Sequence, residues 1–461
     1  MCIIFFIYSH QSIKLYLAHK TRGDLTSFAQ AMWNSTEGRW MQSTFNYSVH
    51  NFWGNPKDDI PVNSNIFGIH FNPILFLFVP IYKLFPTPIT LLIIQAFFVA
   101  LSGYIIFLLS ESIIWQISFS LYFGLINAVL HEFHASTLTI FFGTLLIYFS
   151  QNYNRIYFFL SLILFLLIQE NTAIVAFIFC LTLVFSRKNK LNGFIGSIVA
   201  LVYFFTVTKI FIPSLSNYHG YIFESIYGNK LGNNFFSIIT NSFKNPGLFL
   251  ETIFNTINVK YLMKIYFPVF PFVVLSPFNF LVSLSGISQN LISSSNLLKS
   301  AAFHYESSSI PFIYYAAIMG SKKIFKIKFL SFLIIIILTL ISYKKFVSNK
   351  LSPTYFFQNI YTLQDKKLDE IIKKIPINAS VSTQDYISGH LSHRQELYLF
   401  PVYFDKVNYI LINNNDFTWP VKYQTQQEYI KKIISNPRYK IVYKDRDFIL
   451  FNRININKNN F

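Results

Sequence analysis

Apolar residues run through this chain in long blocks parted by short polar punctuation, and the blocks have the length of membrane helices. A spanning helix needs about 20 apolar residues. Blocks near that length fall at about 1–18, 88–110, 113–130, 135–150, 155–168, 172–186, 191–212, 262–278, 279–298, 309–321 and 327–343. The pattern predicts a polytopic α-helical membrane protein with about 11 spans. The block 71–85 is shorter and is broken by Pro73 and Pro80, so it reads as a re-entrant or interfacial segment rather than a full span. Residues 1–18 have no basic start and no small-residue cleavage site, and read as a membrane helix rather than a signal peptide.

Beyond about residue 350 the pattern changes. Strand-like stretches at 379–383, 409–413, 439–443 and 448–451 alternate with helical ones at 368–375 and 426–434. The expected organisation is a transmembrane domain over 1–345, with a first external loop at about 19–70, followed by a small soluble α/β domain over 351–461.

Composition sharpens this picture. The chain has 461 residues, of which 53% are hydrophobic and 13% charged, against about 25% charged in soluble domains. The net charge of +18 raises the question of nucleic acid. The Lys and Arg residues sit in short clusters between apolar blocks, where they anchor a cytoplasmic membrane face. The expected partner is the lipid bilayer, not nucleic acid. Cys2 and Cys180 both lie in apolar blocks and imply no disulfide framework. No Walker loop, dinucleotide fingerprint or Cys-based metal motif is present, which disfavours a soluble nucleotide enzyme or an ATP-driven transporter subunit.

Charge also orients the chain. With the clusters at 187–190 and 322–328 placed inside, 169–171 and 131–134 fall outside. If 71–85 does not cross, Asp24 and His70 are outside too, together with His304 and the C-terminal region. All the conspicuous polar motifs then share one face.

Each motif carries two readings. Asp24 precedes a helix-like segment with Phe28, Met32 and Trp33 on one side, and is either a catalytic base or an N-cap. Glu132, with His131 and His134, stands between two apolar blocks: a substrate or phosphate contact, a metal ligand set, or an interfacial cap. Glu170 is a functional acid or the cap of a helix starting at Thr172. His70 neutralises a lipid-linked phosphate or is structural. His304 lies in a Ser-rich loop, and the run Gly389-His-Leu-Ser-His-Arg394 supplies two histidines and an arginine or is simply a turn. Sequons at Asn34, Asn46 and Asn378 fit an external face. No cofactor is assigned, a divalent cation being open, and no metal ligand set is fixed.

Taken in order, Asp24-Leu, Gln30-Ala-Met-Trp-Asn34, Gly38-Arg39, His70-Phe-Asn-Pro73, Pro86-Thr-Pro88 with Gln95, Glu132-Phe-His134, Gln169-Glu170, His304-Tyr305 and His390-Leu-Ser-His-Arg394 make a pattern. It resembles the uncharacterised membrane proteins grouped as domain of unknown function 2079, over nearly the whole chain. That family looks similar to the GT-C membrane glycosyltransferases, which use polyprenyl-phosphate-linked sugars. Those enzymes carry an acid in the first external loop, a His- or Lys-Pro motif closing it, and a second acid in a later external loop. By that resemblance Asp24 matches the first acid and catalytic base, His70 the loop-closing residue and Glu132 the second acid. Glu170 lies where those proteins often place a Lys. Arg22, His70, Glu132, His134, Glu170 and His304 are then the residues expected to contact substrate or lipid phosphate. Asp24 is followed by Leu rather than a second acid, and Phe71-Asn72 interrupts the His-Pro-Pro pattern. The alternative expectation is a non-enzymatic membrane protein, a lipid or solute transporter or an envelope scaffold, with the acids as helix caps.

Overall fold

The structure is a computed structural model that describes residues 1–50, 60–152, 154–185, 189–218, 231–232, 235–324, 328–347, 353–416, 419 and 421–454. The apolar blocks are helical, as they must be where only an internally bonded backbone is tolerated in lipid. Helix α1 spans Cys2–Leu17, α2 Gly23–Thr36 and α3 Thr44–His50. Next comes the long helix Pro88–Ser110, started by a Thr87 cap and a proline in its first turn, and stopped at Glu111, whose φ is 55°.

Among the described residues, Pro88–Ser110 and Lys190–Leu215 are each long and apolar enough to cross a membrane. The pair Ile113–Ser120 and Phe123–His131 makes a third if its 47° bend lies within one span. Shorter apolar helices follow at Ala135–Gln151, Arg155–Leu166 and Thr172–Val184. The stretch 262–298 is more broken than its apolarity suggests. Pro268, Pro271 and Pro277 divide it, and the helices there are Thr256–Tyr266, Phe270–Val273, Pro277–Ser285 and Ser288–Ile292. The block 71–85 forms Pro73–Phe78 and Val79–Leu84, six residues each. The first is a 3-10 helix and the second an α-helix, and at about 2.0 and 1.5 Å per residue they reach only about 21 Å, short of a bilayer core.

The C-terminal region holds a five-stranded mixed sheet in the order β2-β1-β3-β5-β4. The strands are β1 (Val381–Thr383), β2 (Leu397–Leu399), β3 (Tyr409–Asn413), β4 (Tyr439–Lys444) and β5 (Phe448–Arg453). β1 lies parallel to β2 and β3, while β5 runs antiparallel to β3 and β4. Helices Leu363–Ile372, opened by a Thr362/Asp365 capping box, and Tyr423–Ile434 complete it.

This sheet does not stand apart from the N-terminal segment. Strand β2 was not anticipated, and its outer edge is finished by side chains of α3. The Thr44 hydroxyl lies 2.8 Å from Leu397 O and 3.0 Å from Leu397 N, and Ser48 Oγ accepts from Leu399 N at 2.8 Å. Covering an edge in this way removes a template for unwanted strand pairing. Phe45 packs with Val381, Leu397, Leu411 and Leu450, while Tyr47, Ile60 and Ile69 pack with Tyr398, Ile410 and Phe451.

Candidate functional site

Asp24 sits in the first turn of α2, but it does not cap that helix. The N-cap position is Arg22, in extended conformation, with no side-chain cap bond. Among the described residues the Asp24 carboxylate accepts no hydrogen bond. The open helix N–H groups turn instead to Glu132, whose Oε2 accepts from Arg22 N at 3.0 Å and Leu25 N at 2.9 Å. Glu132 is 3% exposed, so these bonds form away from water and hold the backbone on both sides of Asp24. Gln95, buried in the Pro88–Ser110 helix, fixes the Glu132 turn in its place. It donates to Glu132 O at 2.9 Å and accepts from His134 N at 3.0 Å.

A second buried acid does the same for the other end of the segment. Glu170 Oε1 lies 2.8 Å from His70 Nδ1, and Oε2 accepts from Phe71 N at 3.1 Å. Asn72 Nδ2 donates to Ile168 O at 2.7 Å, and Ile74 N to Leu167 O at 2.9 Å. Burial alone would raise the Glu170 carboxyl, but the His70 imidazole and the Phe71 N–H outweigh it and hold it below its ordinary value.

These anchored turns meet around a cavity of about 120 Å³, lined among others by Asp24, His50, His70, His134, His304 and Tyr305. A second cavity of about 120 Å³ adjoins it, sharing His70, His134, His304 and Tyr305 and reaching Gln169 and Asn171. The rings of His134 and His304 stack with centroids 3.5 Å apart. Burial holds both imidazoles well below their ordinary pKa; His304 and His70 add to this for His134, and His131 and His70 for His304. Both are therefore neutral at pH 7. Asp24 is half-buried, and its burial pushes the carboxyl up to about 6, against the pull of His70 and with a further push from Asp385.

Of the residues expected at a site, Asp24, His70, His134 and His304 line one cavity. Glu132 and Glu170 stand behind it as anchors of the backbone. Arg22 points elsewhere, pairing with Asp385 at 3.1 Å with its side chain 52% exposed. The histidines of 131–134 separate: His134 groups with Asp24 and His304, and His131 with Asp24 and Glu132. His390 and His393 pack at the junction with the N-terminal segment, where His390 stacks on Tyr16 and His393 bonds Tyr82 at 2.8 Å. Asn34 is fully buried and donates to Gln42 O at 2.9 Å, so this sequon is closed to a glycan.

His50 and Asn46 also line the cavity and were not anticipated. Their spacing of four on a short helix, with His50 Nδ1 2.8 Å from Asn46 O, is the signal that marks a shared face. Glu306, buried beside His304 and accepting from the Tyr261 hydroxyl at 2.9 Å, was likewise missed among the serines around it.

Apolar helices packed around a polar cavity, lined by the first turns of α2, by α3 and by loops between helices, fit a membrane protein. The chain belongs to the family described as predicted membrane protein (DUF2079), whose pattern matches residues 14–450. No curated protein matches it.

Proposed function

We propose that this membrane protein is glycosyltransferase-like and transfers a sugar from a polyprenyl-phosphate donor at the external membrane face. The observation that carries this reading is the Asp24 carboxylate, which takes no hydrogen bond from the described residues, stands between two backbone N–H groups held by Glu132, and lines a cavity with His70. A positioned carboxylate with a value near neutrality suits a general base, worth typically about 10²–10⁴-fold. In this reading Asp24 removes the acceptor's hydroxyl proton as that oxygen attacks the anomeric carbon. The bond from that carbon to the phosphate oxygen breaks, and the lipid phosphate leaves with the electron pair. His70, gripped by Glu170, donates to the departing phosphate and steadies its charge. His134 and His304 line the same space, and Arg22 joins the phosphate contacts only by leaving Asp385.

The proposed topology is multi-pass, with about 11 crossings over 1–345 and the region 351–461 external. Two features support it. The short Pro73–Leu84 helix falls below spanning length, and the turns at 24, 70, 134 and 304 converge as the charge pattern requires. The sheet region, stitched to α2 and α3, shapes access for the acceptor.

The test is transfer of radiolabelled sugar from a panel of polyprenyl-phosphate donors by purified protein in lipid, wild type beside Asp24→Asn. Transfer that disappears in a folded variant supports the reading. Transfer that survives the substitution refutes Asp24 as the base. Wild-type protein that transfers nothing from any donor favours the non-enzymatic alternative, a transporter or scaffold.

A further inference from the structure

We propose that Asp24, His134 and His304 form a binding site for a divalent first-row transition cation of the Zn²⁺ or Mn²⁺ kind. The inference does not rest on sugar transfer, and it gives Asp24 a different role from the proposed base, since a carboxylate bound to a cation is not at that moment free to take a proton. One carboxylate oxygen and one nitrogen from each imidazole lie within 4.8 Å of one another. Ligand distances to such cations are about 2.0–2.2 Å, so the three side chains must close and reorient to complete the set. Two nitrogens and one oxygen suit a borderline metal, whereas Mg²⁺ and Ca²⁺ prefer oxygen.

An independent observation points to a ligand. His304 is 8% exposed, and its Nδ1 is buried without a hydrogen-bond partner among the described residues. Such a group is unfavourable in a protein interior unless something meets it, and this ring lines both cavities. His134 shows the complementary feature. Ser136 Oγ lies 2.8 Å from its Nδ1. In the structure the Ser136 N–H donates to Nδ1 at 3.2 Å, which puts the imidazole proton on Nε2. In the other tautomer Nδ1–H donates to the Ser136 hydroxyl and Nε2 has its lone pair free, the outer-sphere arrangement common to metal-bound histidines. Cation binding therefore selects between two tautomers.

The stacked rings set a geometric condition. They are within 12° of parallel, and lone pairs lying in parallel planes cannot converge on one cation. One ring must turn, and His304, with no hydrogen bond holding it among the described residues, is the one free to do so. The alternative grouping of Asp24, His131 and Glu132 is less suited, because Glu132 Oε2 already holds two backbone N–H groups.

The experiment uses the full chain in lipid, stripped with chelator and then dialysed against Zn²⁺ or Mn²⁺, with bound metal counted by mass spectrometry. A Co²⁺-loaded sample reports ligand type by its visible absorption. One equivalent of Zn²⁺ or Mn²⁺ per chain is expected, with nitrogen ligands in the Co²⁺ spectrum. His304→Ala, His134→Ala and Asp24→Asn should each abolish it, and Ser136→Ala should weaken affinity by about 10–100-fold. His393→Ala, distant from the cavity, should leave it intact and controls for folding. Wild type that retains no cation, or retention unchanged in His304→Ala and His134→Ala, overturns the proposal. Because no sugar donor enters the measurement, its failure is distinguishable from failure of the transfer reading.

Discussion

Glu132 brackets Asp24: its Oε2 accepts the N–H groups of Arg22 and Leu25, at 3.0 and 2.9 Å, one on each side of the aspartate. A cap supplied by a residue more than a hundred positions away leaves the local carboxylate free for the cavity. Glu132→Ala leaves two helix-end N–H groups without their acceptor, at about 1–3 kcal/mol for the buried Leu25 N–H and less for the part-exposed Arg22 N–H. Denaturant unfolding should show that loss, with Glu132→Gln recovering part of it, because an amide oxygen still accepts. A variant with unchanged stability would contradict the bracket.

Gly68 lies two residues before His70, in close contact with other parts of the chain. A Cβ there would run into the Leu215 carbonyl and the Tyr47 hydroxyl. Gly68→Ala should cost about 1–3 kcal/mol as the loop shifts and should displace His70 from Glu170. Unfolding measurements on Gly68→Ala beside Gly38→Ala, whose position is open but whose φ is +80°, separate crowding from backbone strain.

Arg22 and Asp385 tie the α2 start to the sheet region. With the arginine half in water, the pair should contribute only about 0.2–1 kcal/mol. A double-mutant cycle of Arg22→Ala and Asp385→Ala checks this, and a coupling of several kcal/mol would mean the pair is shielded far more than its exposure indicates. Salt should weaken the coupling.

Acid should loosen the junction between the sheet region and α1. Burial, reinforced by His19, lowers His390 from the ordinary 6.5 to about 4, against the bond to Tyr16 O; burial and then Arg394 lower His393 to about 4. The unfolded chain binds more protons than the folded one between these values. Stability from both histidines is thus complete above pH 6.5 and is lost as pH falls towards 4. Protection from hydrogen exchange over 381–399, measured against the intrinsic rate at each pH, should fall across that window, and His390→Phe should flatten the response.

The blocks at 88–110 and 191–212 were legible as long helices because apolar stretches of that length have few alternatives in lipid, whereas Pro268, Pro271 and Pro277 break 262–298 into short helices. Four of the five strands were legible from β-rich stretches between Asn and Pro turns. β2 was not: Leu397, Tyr398 and Leu399 are all buried, show no alternation, and owe their edge bonding to Thr44 and Ser48. Charge parity put Asp24, His70, His134 and His304 on one side, and the four residues line one cavity. Capping was among the readings for Glu132 and Glu170, but the distant backbone N–H groups they bond were out of reach, since such a carboxylate reads in sequence like a local cap or one awaiting a ligand. Arg22 misled for a related reason, its partner lying 363 positions away.

The Thr44–Leu397 bond joins residues 353 positions apart, and this has a consequence for synthesis. At about 5–20 residues per second, the segment carrying α2 and α3 waits on the order of tens of seconds for the strand that covers it. Phe45 and Tyr47 have no sheet to pack on during that interval. A nascent chain paused before β2 should therefore bind a chaperone or be cut by protease near residues 40–50.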